Sequence, residues 1–277
     1  KATGTKIKWR PDLDVFTDIS IPAEYFVNVL KKQAVVNSGL KFVFHNQNED
    51  GTFTDHEFVY ENGIVDYVNE LAGEKSLTTP MFFETERKGR DREDKPEYKV
   101  KLSVSFCFSN ESNVIEYYHN SSYLEHGGSP DRAVKNAFVA VIDQYIKQTD
   151  KYKKNESKIK FEDVADCLCL VSNSFSTVTS YENQTKKSIT NKFIQEAMTD
   201  FLKENLNIYF IENKVDAEKI ADQVLINKRS RENAEKTRIN VKKMLTGNTD
   251  VLSKVPKFVD CRSKDVNKRE VYIVEGD

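Results

Sequence analysis

Three stretches of this chain combine residue types that can handle phosphate, metal or polyanion. The first is Tyr181-Glu182-Asn183-Gln184-Thr185-Lys186-Lys187, a polar loop between a predicted strand and a helix start at Ser188. A Gln and a Lys two apart on such a loop project to the same side. Lysine is a compact cation suited to a phosphate, and the Gln amide donates to a phosphate oxygen. The same composition also fits a plain solvated loop. The second is Val271-Tyr272-Ile273-Val274-Glu275-Gly276-Asp277, an apolar strand ending in a carboxylate. In parallel α/β sheets, sites gather at the carboxyl ends of strands. Glu275 there can bind Mg²⁺ or act as a general acid/base. One glutamate is not a metal site, so its partners would have to lie further on, and an ordinary strand end fits equally. The third is residues 226–245, where Lys228, Arg229, Arg231, Lys236, Arg238, Lys242 and Lys243 face only Glu232 and Glu235. A basic helix stripe can track phosphates, which makes Lys228, Arg229, Arg231, Lys236 and Arg238 the DNA-contact candidates. A solvated helix face tied by pairs such as Glu232 with Lys236 is the plainer alternative.

The elements that must carry these residues are legible in outline. A helix opens at Ser20-Ile21-Pro22, sets Phe26, Val29, Leu30 and Ala34 on one face and stops at Gly39. Residues 40–44 and 53–60 read as a hairpin around a polar turn, followed by a short helix over 64–71. Residues 81–84 and 98–108 are strands. The second alternates Val100, Leu102, Val104, Phe106 and Phe108 against Lys99, Lys101, Ser103, Ser105 and Cys107, which predicts a sheet with one buried face. Their connection, 85–97, is almost all charge and reads as a solvated, mobile hairpin tip. A strand over 114–119 precedes a helix from Ser129-Pro130, whose Val134, Ala137, Phe138, Val141, Ile142 and Tyr145 form one buried stripe. After a Lys-rich loop at 150–160, residues 164–179 read as a long strand or a broken pair. Ser188 is expected to cap a helix with Ile189, Phe193, Ile194, Ala197, Met198, Phe201 and Leu202 inward. A last helix, capped by Asp216, runs unbroken to Gly247, about 30 residues or ~45 Å. Residues 257–261 and the strand 271–274 close the chain. The pattern predicts an α/β (α+β) domain of about 210 residues, a long connecting helix and the opening strand of a further unit.

Composition narrows the classes. The 277 residues are 38% hydrophobic and 31% charged with a net charge of −2, which excludes disorder and does not advertise a nucleic-acid binder. No apolar run approaches the ~18–20 residues of a membrane helix. Lys1-Ala2-Thr3-Gly4 is not a signal peptide, and without an initiator Met the chain reads as a fragment. Cys107, Cys167, Cys169 and Cys261 form no CxxC pair and are expected as free thiols of a reducing cytosol. His45, His56, His119 and His126 lack metal-ligand spacing, so no zinc site is expected. There is no Gly-rich phosphate loop and no nucleophile–base triad.

Four motifs then carry a resemblance. Gln184-Thr185-Lys186 resembles the QTK loop of the ATPase subunits of bacterial type IIA DNA topoisomerases, the gyrase B and topoisomerase IV B proteins. Ile273-Val274-Glu275-Gly276-Asp277 resembles the "VEGDSA" start of their TOPRIM domain. Phe258-Val259-Asp260-Cys261-Arg262-Ser263-Lys264-Asp265 is similar to "ADCQSKDP", and Thr3-Gly4-Thr5-Lys6-Ile7-Lys8-Trp9-Arg10-Pro11-Asp12 to "TGTxxxFxPD". Order and spacing match across essentially the whole chain. One departure stands out: where the family shows "EGGTH", this chain has Glu125-His126-Gly127-Gly128-Ser129-Pro130.

The resemblance implies a transducer domain over residues 1–212, a left-handed βαβ fold of the ribosomal-protein type whose handedness general rules disfavour. Residues 213–247 would be a long connecting helix, and 248–277 a linker and the first strand of a truncated TOPRIM domain. Gln184, Thr185 and Lys186 would form the ATP-binding loop, reaching the γ-phosphate of a nucleotide held by a GHKL domain preceding residue 1. Lys186 would act on the charge of that phosphate. Glu275 would act with Mg²⁺ in strand cleavage by a tyrosine of a gyrase A-like partner. ATP and Mg²⁺ would serve the parent enzyme, with DNA as its substrate, no membrane, and a cytoplasmic, nucleoid-associated location. The fragment alone would bind no cofactor, hydrolyse no ATP and cleave no DNA. Two other readings are a transducer-like module of another GHKL ATPase, of the mismatch-repair type, and a plain nucleic-acid-binding module, against which the net charge argues.

Overall fold

The computed structural model describes residues 3–74, 76–247, 263 and 265–270. Its elements are α1 (Ala23–Val36), β1 (Phe42–Gln47), β2 (Phe53–Phe58), α2 (Ile64–Ala72), β3 (Met81–Gly89), β4 (Tyr98–Phe108), β5 (Ile115–His119), β6 (Ser122–Tyr123), α3 (Ser129–Gln148), α4 (Phe161–Ala165), β7 (Leu168–Ser176), α5 (Lys192–Glu212) and α6 (Lys214–Gly247). A 3₁₀ turn spans Val266–Lys268. Residues Lys1–Asn227 form one compact unit and Lys228–Asp277 a second.

β4 organises the first unit. It lies second in a five-stranded sheet of order β3-β4-β7-β5-β6. β3 and β7 flank it antiparallel, with Phe83 opposite Val104 and Cys169 opposite Cys107. β5 runs parallel to β7, from Ile115 beside Leu170 to His119 beside Ser174. A parallel neighbour needs a crossover, and β6, α3 and α4 lie in the chain between them. The alternating apolar residues of β4 all enter the main core, with α3 and α5 laid over them. Phe106 meets Phe83, Phe138 and Tyr209 edge-to-face, the arrangement that ring quadrupoles favour. Each such ring contributes roughly 1.5–3 kcal/mol by burial.

The opposite face differs from the expectation of a single buried side. Lys99 and Lys101 are exposed, but Ser105 and Cys107 are buried. A second cluster of Val35, Val36, Ile64, Tyr67, Val68 and Ala72 closes over Cys107, Tyr118, Cys169 and Val171. The short helix α2 and the end of α1 therefore cover one end of the sheet. Strand alternation registers only whether a face meets water, and here that changes along β4.

Other boundaries shift for identifiable reasons. The charged stretch expected to be a mobile tip is strand in its first part: β3 continues to Gly89, paired with Tyr98, and only residues 90–97 form the connection. Lys88 lies directly opposite Lys99, a destabilising pairing, and each finds a carboxylate instead, Glu97 at 2.8 Å and Glu86 at 2.7 Å. The predicted strand start at Val164 falls in α4, where the Asp163 carboxylate accepts from the Lys160 N–H at 2.8 Å, and β7 begins at Leu168. Val29 is exposed while Phe26, Leu30 and Ala34 turn inward, and Pro22, not Ser20, precedes α1. Ser188 is no cap: it is buried, and α5 starts after Asn191. α6 opens at Lys214, and Asp216 accepts from the Tyr209 hydroxyl at 3.1 Å instead of capping. The expected 212/213 division falls at the α5–α6 junction. The main core extends past it, because Ala217, Ile220, Ala221, Val224 and Leu225 of α6 are buried there. The predicted hairpin forms, with β1 extended into His45, Asn46 and Gln47. Residues 257–261 and 271–277 lie outside the described residues.

Candidate functional site

The loop after β7 carries the phosphate-binding candidates. Gln184, Thr185 and Lys186 are all exposed. They form a local turn organised by Asn183, whose side-chain oxygen accepts from the Thr185 N–H at 3.2 Å and from the Thr185 hydroxyl. The Lys186 N–H donates to the Asn183 carbonyl at 3.2 Å. Lys186 sits at φ 58, a left-handed conformation uncommon for a residue with a Cβ, and its ammonium lies 5.7 Å from the Tyr181 ring centroid. Chemically the turn presents one cation, one amide and one hydroxyl to solvent.

Both stems of this turn are held from other elements. The entry stem leaves β7 beside His119 and Asn120 at the end of β5. His119 is fully buried and meets the Ser174 hydroxyl through Nδ1 and the Thr179 hydroxyl through Nε2, each at 2.8 Å. Burial lowers its pKa from 6.5 to about 4, so it is a neutral structural group. Asn120 donates to the Ser176 carbonyl at 3.0 Å and to the Thr179 hydroxyl at 3.2 Å, and accepts from the Ser176 N–H at 3.0 Å.

The exit stem is extended, which is why Ser188 begins no helix. Ile189 bridges Gly128 on one side and Tyr181 on the other. Its carbonyl accepts from the Ser129 N–H at 2.8 Å and the Ser129 hydroxyl at 3.2 Å. Gly128, at φ 87, is required there: a Cβ would lie 2.2 Å from the Ile189 carbonyl oxygen. The departure from the "EGGTH" pattern sits at this contact, since Ser129 starts α3 and holds the exit stem. Lys187 pairs with Glu125, and its carbonyl accepts from the His126 N–H at 2.9 Å. Sequence reasoning missed as stem residues His119, Asn120, Ser129 and Asn191, whose side-chain oxygen accepts from the Ser180 N–H. His119 lies 55 residues from Ser174, and Ser129 lies 60 from Ile189, so no local signal exists.

The basic half of α6 is not uniform. Lys228 is fully buried and pairs with Glu232 at 3.3 Å. Arg229 and Arg231 are half-buried, and Lys236 and Arg238 are exposed. Glu275 lies outside the described residues. Among the described residues no group of three or more His, Cys, Asp or Glu is placed to hold a metal ion, and no helix is long and apolar enough to cross a membrane. Cys107, Cys167 and Cys169 are free and buried, and Cys261 lies outside the described residues.

Residues 63–240 match the family model described as DNA gyrase B. The DNA gyrase B protein of Mycoplasmoides gallisepticum is 28% identical over 280 residues, covering 100% of this chain and 43% of that protein. Its counterpart in Halalkalibacterium halodurans is 29% identical over 279 residues, covering 99% and 42%. The chain thus spans less than half the length of these relatives. Among solved structures, the 43K ATPase domain of Thermus thermophilus gyrase B in complex with an aminocoumarin aligns with a TM-score of 0.60 at 22% identity, covering 83% of this chain and 59% of that one. A topoisomerase IV ATP-binding domain of Francisella tularensis aligns at 0.60 and 21%, covering 80% and 57%. At such identities these structures speak for the fold alone. With the family model matched over most of the length, from α2 into the basic half of α6, the chain belongs to the DNA gyrase B family.

Proposed function

We propose that this chain is the coupling segment of the ATPase/TOPRIM subunit of an ATP-dependent type IIA DNA topoisomerase. In this reading residues 1–212 act as the transducer, a left-handed βαβ arrangement of the ribosomal-protein type, with support strongest from residue 63 on, where the family match begins. Residues 213–247 are the connecting helix, and 248–277 lead into the TOPRIM fold. A transducer-like module of a mismatch-repair ATPase and a plain nucleic-acid-binding module are not favoured, since neither accounts for the gyrase B match.

One observation carries the reading: Gln184, Thr185 and Lys186 stand in solvent on a turn whose two stems are pinned. Such a turn presents a lysine cation outward at a fixed place, which suits the terminal phosphate of ATP bound by a preceding GHKL domain. ATP supplies the phosphoryl group. Lys186 offsets the charge that spreads over its oxygens, and the Gln184 amide donates to it. Loss of that phosphate removes the contact and releases the domain, a switch of the γ-phosphate type. Glu275, with further carboxylates, would hold Mg²⁺ and serve the cleavage step of a gyrase A-like partner. Arg229, Arg231, Lys236 and Arg238 are the DNA-facing candidates, and Lys228, buried against Glu232, contributes least. The parent is placed in the cytoplasm with the nucleoid, and the 277-residue chain alone neither hydrolyses ATP nor cleaves DNA.

The test is ATP hydrolysis and nucleotide binding by the full-length parent, wild type against Lys186→Ala. Turnover is expected to fall a hundredfold or more, on the order of 3 kcal/mol in the barrier, with binding largely kept. Unchanged turnover sinks the assignment of this loop.

A further inference from the structure

The tip of the β3–β4 hairpin, charged enough to look like free surface, reaches back to the exit of the Gln184–Lys186 turn. Asp91, half-buried in that tip, gathers three hydrogen bonds. Its Oδ1 accepts from the Phe193 N–H at 2.9 Å and from the Tyr98 hydroxyl at 3.1 Å, and its Oδ2 accepts from the Asn191 side-chain amide at 2.9 Å. Phe193 lies in the first turn of α5, where backbone N–H groups have no partner within the helix. Asn191 is the residue positioned to cap that turn, yet its side chain makes no cap bond. Its oxygen instead accepts from the Ser180 N–H at 2.7 Å. Asp91 therefore caps α5 from another element, with a negative charge at the favourable end of the helix dipole. That frees Asn191, only 1% exposed, to hold the backbone at the entrance of the polar loop.

The docking of the tip is close-packed. A Cβ on Gly89 would lie 2.3 Å from a ring carbon of Phe193. Tyr98 meets the same ring edge-to-face at 5.3 Å, and its hydroxyl accepts from the Asn191 amide at 3.1 Å. The chain of contacts runs Asp91 to Asn191 to Ser180, and Ser180 in turn accepts from the Thr190 N–H at 2.8 Å, so that both ends of the loop are tied at one point.

We propose that Asp91 is a positioning residue for the Gln184–Lys186 turn, acting through Asn191 and Ser180. This rests on the reading that Lys186 meets a terminal phosphate. Asp91 touches no substrate. It sets where the lysine stands, so its loss changes the rate of the chemical step more than nucleotide affinity. A role confined to fold stability would leave the turnover per folded molecule unchanged.

The experiment compares Asp91→Asn, Lys186→Ala and the double variant Asp91→Asn/Asn191→Asp in the full-length parent, reading kcat and KM for ATP. Tryptic nicking between Lys186 and Lys187 is followed in the 277-residue chain. Asp91→Asn turns a donor toward the Asn191 amide, so two donors face each other. The double variant exchanges donor and acceptor and restores the bond with the net charge unchanged. Asp91→Asn is expected to lower kcat about tenfold with KM within about twofold, and the double variant to recover to within about threefold of wild type. Nicking should rise in Asp91→Asn and fall again in the double variant. Should Asp91→Asn fail to fold, Asp91→Ser, which keeps an acceptor near the Phe193 N–H but does not reach Asn191, carries the same kcat test. An unchanged kcat in Asp91→Asn, while Lys186→Ala collapses turnover, overturns the positioning role and leaves the phosphate reading standing. So does a double variant as slow as Asp91→Asn. If Lys186→Ala leaves turnover unchanged, the phosphate reading fails, and nicking unaltered by Asp91→Asn then overturns the positioning role as well.

Discussion

Residues 183–186 and the segments on either side of them meet their surroundings in different ways. The turn is exposed and closed by local hydrogen bonds, Asn183 with Thr185 and with Lys186. The stems are bonded to distant strands and helices. Ser174 and Thr179 join His119, Ile189 joins Gly128 and Ser129, and Asn191 joins Asp91 and Tyr98. The two tasks of the loop are thereby divided. A lysine at the tip keeps its hydration and its charge at little cost, whereas a buried unpaired ammonium would cost several kcal/mol. Position comes from stems whose polar groups are satisfied by the body of the fold, so the tip itself needs no buried contacts.

That division can be broken by changing one region and reading the other. The largest effect belongs to Gly128→Val. At φ 87, with a Cβ only 2.2 Å from the Ile189 carbonyl, the substitution should cost about 3 kcal/mol or more in urea unfolding. A loss below about 1 kcal/mol means the exit stem is not firmly docked, and the comparison fails.

Next comes the pH dependence of the entry stem. The pKa of His119 is lowered from 6.5 to about 4 by burial, so between those values the unfolded chain binds more protons than the folded one. Stability from this group is therefore full above about pH 6.5 and falls on acidification through the window to about pH 4, by roughly 3 kcal/mol in all. His119→Gln stays neutral and should lose this slope, which urea unfolding at pH 7 and pH 4.5 checks. A slope retained in the variant assigns the pH dependence to other groups.

The Asn120 clasp should matter less. Asn120→Ala removes three bonds to Ser176 and Thr179 and is expected to cost about 1–2 kcal/mol. Smallest of all, Gln184→Ala and Lys186→Ala should each leave stability within about 0.5 kcal/mol in the same assay. A larger loss would show that the tip also serves the fold.

Much of this is readable from sequence wherever one element's pattern against water suffices. The β4 alternation as far as Val104, the α3 stripe and the unbroken run of α6 appear as predicted. The loop also stands where its polarity puts it, with its Gln, Thr and Lys outward. Asp91 is not legible, because within 85–97 it is one carboxylate among many charges, and its partners Asn191 and Phe193 lie 100 and 102 residues on. Lys228 is equally hidden. In the sequence it is one more cation of a basic stripe, but the fold buries it beside Glu232.

The sequence by itself determined which segments are apolar on one side, where the chain must turn, the chemical groups offered by residues 184–186, and, through four motifs, the family. Only the tertiary structure decided that both faces of the sheet are covered at one end, that Ser188 continues a strand-like stem instead of starting a helix, and that Asp91 caps a helix it does not belong to. The reason is physical. Periodicity along a chain records exposure to solvent, a local property. Which buried polar group satisfies which other depends on segments that loop closure brings together over a hundred residues, and no window of sequence contains both partners.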